Sequence, residues 1–69
     1  MKKFEIRLAD QQCRNHAHLV NLDRFFRTER FAMLPQEQQK LMIEEFRVKE
    51  QLDAILIRRM ELLGLPVCN

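Results

Sequence analysis

The second half of this 69-residue chain reads as one unbroken helix, and that helix limits every fold available to it. From Gln36 to Leu63 there is no Gly, no Pro and no turn cluster. At about 100° per residue, Leu41, Val48, Leu52, Ile55, Leu56, Leu62 and Leu63 fall on one side. Met42, Phe46, Ile57 and Met60 widen that side to roughly 220° of arc, about twice what an amphipathic helix of a globular domain requires. One partner helix cannot cover so much, so contact with another chain is expected.

The first half supplies that one partner. Lys3 to Arg27 is expected to be helical, with Phe4, Leu8, Leu19, Leu22 and Phe26 on one stripe and Asn15 in its gap. Small residues make a second stripe, Ala9, Cys13 and Ala17 followed by Val20, while Glu5, Gln12, His16 and Asp23 lie between the two. Thr28 to Leu34 forms the connection, in which Phe31, Met33 and Leu34 are expected to plug the top. Pro35 suits the first turn of a new helix, and Gly64 with Pro66 ends it. Residues 64–69 remain as a short tail.

Helices over residues 3–27 and 35–63 would be about 38 and 43 Å long. The expectation is all-α: a single-domain, antiparallel two-helix hairpin that pairs into a dimeric four-helix bundle. In that hairpin Leu8 falls near Leu56, and Asn15 and His16 lie opposite Glu45 and Lys49. Glu45, Lys49 and Asp53 then make a polar layer inside the apolar arc. Ala9, Cys13, Ala17, Val20, Phe46 and Ile57 are the expected oligomer interface.

A chain this short buries only about 60% of its unfolded surface. Its 46% apolar content and single Gly still argue for an ordered domain. No apolar run approaches the 20 or so residues of a membrane span, and Lys2-Lys3-Phe4-Glu5-Ile6-Arg7 is no signal peptide. The two cysteines, Cys13 and Cys68, are therefore read as free thiols of a cytoplasmic protein.

Catalysis and metal binding find little footing. Cys13 and His16 can share a helix face, but His18 points about 200° away from His16, and Cys68 lies in the tail. Clean zinc sites show two ligand pairs. Cys13 with His16 also lacks an orienting carboxylate and an oxyanion loop. Neither an enzyme nor a cofactor is expected.

Charge is distributed unevenly, seven Lys/Arg against four Asp/Glu over residues 1–34 and five against six over 35–69. At the turn, Phe25, Phe26 and Phe31 sit among Arg27 and Arg30, the residue types that anchor interfaces. At the open end Lys2, Lys3, Arg7, Arg58 and Arg59 could receive an anion.

Four segments together resemble a family of small phage proteins named from a crAss-like phage. They are Leu22-Asp-Arg-Phe25-Phe26, Phe31-Ala-Met-Leu34, Leu41-Met-Ile-Glu-Glu-Phe46 and Ile55-Leu-Ile-Arg-Arg-Met60. The similarity spans about residues 19–60, with Glu45 and Lys49 standing where that family has Gln and Met. It implies a helical hairpin with a cytoplasmic role in host takeover or counter-defence. By analogy with the phage quorum-sensing anti-activator, which binds a LuxR-type regulator and a pilus-assembly ATPase, the action would be stoichiometric inhibition of a bacterial host protein. Phe25, Phe26, Arg27, Arg30 and Phe31 are then the partner-contacting residues. A different class of function, an oligomeric sponge for a cyclic nucleotide immune signal, would use the open-end cations. Nucleic-acid binding ranks third.

Overall fold

A computed structural model describes residues 2–69 and contains three helices: α1 (Lys3–Phe25), α2 (Glu29–Ala32) and α3 (Gln36–Leu62). The two long helices pack against each other along their length as an antiparallel hairpin. At α1's start, the Glu5 carboxylate accepts a hydrogen bond from the Lys2 backbone amide at 3.0 Å, a pairing typical of a capping box. The helix stops at Phe25, two residues short of the expected Arg27. Thr28 explains the early stop: its hydroxyl donates to the Phe25 carbonyl at 2.7 Å and accepts from the Phe31 amide at 3.3 Å. One residue thus ends α1 and caps α2. The connection is therefore not a plain turn but holds one helical turn of its own. Gln39 closes it from the other side, its amide donating to the carbonyls of Ala32 (3.1 Å) and Leu34 (2.9 Å).

Of α1, Leu8, Gln12, Asn15 and Leu19 are buried; of α3, Leu56 and Met60. The register is close to the expected one. Leu8 packs with Leu56 and Met60, and Asn15 donates to the Lys49 carbonyl at 2.9 Å. The histidines differ from expectation: His16 approaches Asp53 at 3.8 Å and His18 meets Lys49 at 3.4 Å, while Glu45 faces outward.

The core is thin. Leu8, Leu19, Leu56 and Met60 are the buried apolar side chains among the described residues. The molecule measures 45 × 16 × 16 Å with a radius of gyration of 14.5 Å, where a compact chain of this length has about 11 Å. Its accessible surface of 5575 Å² exceeds the roughly 4,600 Å² typical of a monomer of this mass.

The C-terminal segment is not a loose tail. Gly64 takes φ +68°, open to glycine at no steric cost. The Gly64 amide bonds to the Glu61 carbonyl and the Leu65 amide to that of Met60, the two bonds of a Schellman motif. The chain is thereby turned back, and Leu65 and Val67 pack on the Leu8–Leu56–Met60 cluster. Cys68 reaches α1 and forms a disulfide with Cys13, their Cα atoms 5.2 Å apart. The expected free thiols are corrected accordingly.

Candidate partner-binding surfaces

Gln12 organises the polar interior, although its sequence position between two stripes did not mark it as buried. It is fully enclosed and its amide is satisfied three times. The nitrogen donates to the Asp53 carboxylate (3.2 Å) and the Cys68 carbonyl (3.1 Å), and the oxygen accepts from the Cys68 amide (2.8 Å). The 4-3-4 spacing of Leu8, Gln12, Asn15 and Leu19 was the signal available, since it puts both amides on the apolar seam. The layer holds the hairpin and its C-terminal segment in register and leaves no buried side-chain polar atom unpaired among the described residues.

At the turn the structure brings the five proposed contact residues together but divides their tasks. Phe31 lies 5.9 Å from Phe25 and 4.9 Å from Phe26, and Phe26 meets Phe46 edge-on at 5.5 Å. The rings are half-buried and close the hairpin. Arg27 is exposed and pairs with Asp23 at 3.2 Å, and Arg30 is exposed. Met33 was expected inside the plug with Phe31 and Leu34; instead it is 83% exposed. As the C-cap of α2 it follows that helix outward. The aromatic rings therefore form a base from which Arg30 and Met33 project.

The proposed oligomer residues are dispersed. Ala9 packs against the core and Cys13 is held in the bridge. Ala17 is exposed. Val20, Phe46 and Ile57 line an open groove of about 500 Å³ that also carries Asp23, Arg24, Glu50 and Asp53. Of the open-end cations, Lys2, Lys3, Arg58 and Arg59 are exposed, and Arg7 lines a groove with Asp10 and Arg14. Among the described residues no cluster of His, Cys, Asp and Glu gathers as metal ligands, and no helix is long and apolar enough to cross a membrane.

An exposed apolar row runs along α3. Leu41, Val48, Ile55 and Leu62 stand 55%, 63%, 58% and 71% exposed, at intervals of seven residues. The wide apolar arc has split in two: Met42, Leu52, Leu56 and Met60 turn inward, and this row remains in solvent. No family model, curated protein or solved structure matches the chain.

Proposed function

We propose that this protein acts by stoichiometric binding. It is a homodimeric helical hairpin whose turn end seats on a bacterial host protein, such as a transcription regulator or an ATPase, and inhibits it by occlusion. The observation that carries this reading is the turn. Phe25 and Phe26 both pack against Phe31, edge-on and tilted respectively, and Arg30 and Met33 project from that base. An aromatic-braced site presenting Arg and Met has the composition of an interface hot spot. Dimerisation is supported by the apolar surface left on α3.

The phage origin, the host-takeover or counter-defence role and the cytoplasmic location rest on the resemblance over residues 19–60. Disulfides persist in oxidising compartments; in a reducing cytoplasm the C-terminal segment would be held by Gln12 and by Leu65 and Val67.

Phe26 is a poor probe of this reading, because its removal also opens a gap against Phe46. The double variant Arg30→Ala/Met33→Ala is better, since both side chains lie outside the core. Affinity capture from bacterial lysate followed by native mass spectrometry should give a one-to-one host protein with the wild type. The variant, unchanged in circular dichroism, should lose it. Retention of that host protein by the folded variant would remove the turn as the site.

A further inference from the structure

We propose that Leu41, Val48, Ile55 and Leu62 pair with the same row on a second copy of this chain, the two α3 helices antiparallel about a twofold axis between Gln51 and Leu52. The proposal rests on the dimeric reading above and is independent of the host target.

Three observations lead to it. First, the row is unpartnered, with one exposed apolar side chain at every seventh position over about 32 Å of helix. The intramolecular seam uses Leu56 and Met60, so the row is free within the monomer. A seven-residue repeat drifts about 20° per heptad on a straight helix, and a gentle left-handed supercoil between two copies removes the drift.

Second, charge along the row is segregated. Glu44 and Glu45 lie between Leu41 and Val48, and Arg58 and Arg59 between Ile55 and Leu62. Among the described residues none of these four joins an intramolecular ion pair, which are Arg14–Asp10, His16–Asp53 and Arg27–Asp23.

Third, the apolar and charged positions share one centre. Antiparallel pairing about the Gln51–Leu52 midpoint sets Leu41 of one copy against Leu62 of the other, and Val48 against Ile55. The same register sets Glu44 against Arg59 and Glu45 against Arg58. A parallel pair would set Glu on Glu and Arg on Arg, so the charges select the orientation. The contact is isologous and closes at two copies. It also moves the dimer face away from Val20, Phe46 and Ile57, since Ile57 lies about 200° around the helix from Ile55.

The test is sedimentation equilibrium on the full chain, with circular dichroism as the check on folding. The wild type should sediment as a dimer of the 8.4 kDa chain. Ile55→Lys should be a folded monomer. Glu44→Arg/Glu45→Arg and Arg58→Glu/Arg59→Glu should each raise the dissociation constant by at least about a hundredfold, because like charges then meet at both ends. An equimolar mixture of the two charge variants should recover the dimer. A monomeric wild type would overturn both this proposal and the dimeric reading. A wild-type dimer that tolerates Ile55→Lys and both charge reversals would keep the dimeric reading and overturn this face.

Discussion

The two ends of the hairpin are closed by different physics. At the turn end the partners are close in sequence: Thr28 bonds three residues away in each direction, Gln39 reaches back five and seven, and Phe25, Phe26 and Phe31 pack edge-on or tilted within seven positions. At the open end they are distant. Gln12 and Cys68 are 56 residues apart, and the bridged cysteines 55. Local contacts close short loops at little entropic cost, whereas the two chain ends must be brought together across nearly the whole sequence. The end with the larger closure cost has the tighter packing, with Leu56, Met60 and Gln12 all but inaccessible. The turn end, cheaper to form, leaves Met33 and Arg30 outside.

If that contrast is right, the largest effect comes from cutting the long connection. The Cys13→Ser/Cys68→Ser variant should lose about 4 kcal/mol on the loop-entropy scale for a closure of this length. That is most of what a domain this small holds. Urea unfolding measures it, and a loss below about 1 kcal/mol would show that packing alone closes the open end.

Met60→Ala comes next, at about 3 kcal/mol, because the vacated volume is walled by Leu8, Leu56 and Leu65 and cannot readily collapse. Gln12→Leu should cost about 2 kcal/mol by leaving the Cys68 amide and carbonyl without Gln12 and Asp53 with His16 alone. Thermal unfolding of both variants sharpens the comparison, for neither should alter hydrogen exchange at the turn before global unfolding.

Thr28→Ala tests the other end. Loss of the cap should cost about 1 kcal/mol and should raise amide exchange at Phe31 first. Smallest is Arg30→Ala/Met33→Ala, with stability expected to stay within about 0.5 kcal/mol. A larger loss would mean that the turn's exposed residues also hold the fold.

Much of this was legible beforehand because it depends on short-range rules. The long helix follows from an uninterrupted run of helix formers between Pro35 and Gly64, and the Leu8–Leu56 register from two helices of similar length joined by a short link. Gly64 was readable as a C-cap, and its φ of +68° realises it. The exposed row was also present in the sequence as four apolar residues at seven-residue intervals, hidden within a broader arc until α1 took one half of it.

By itself, then, the sequence determined two long helices, their antiparallel pairing and a surplus of apolar surface. Each follows from periodicity and capping, which act within a few residues. Tertiary structure alone decided how the surplus was divided, that Gln12 lies inside and Met33 outside, and that the last residues fold back to join Cys68 to Cys13. Those outcomes depend on which distant groups come within a few ångströms of one another. A carbonyl and an amide 56 residues away become partners for Gln12 only after Gly64 has turned the chain.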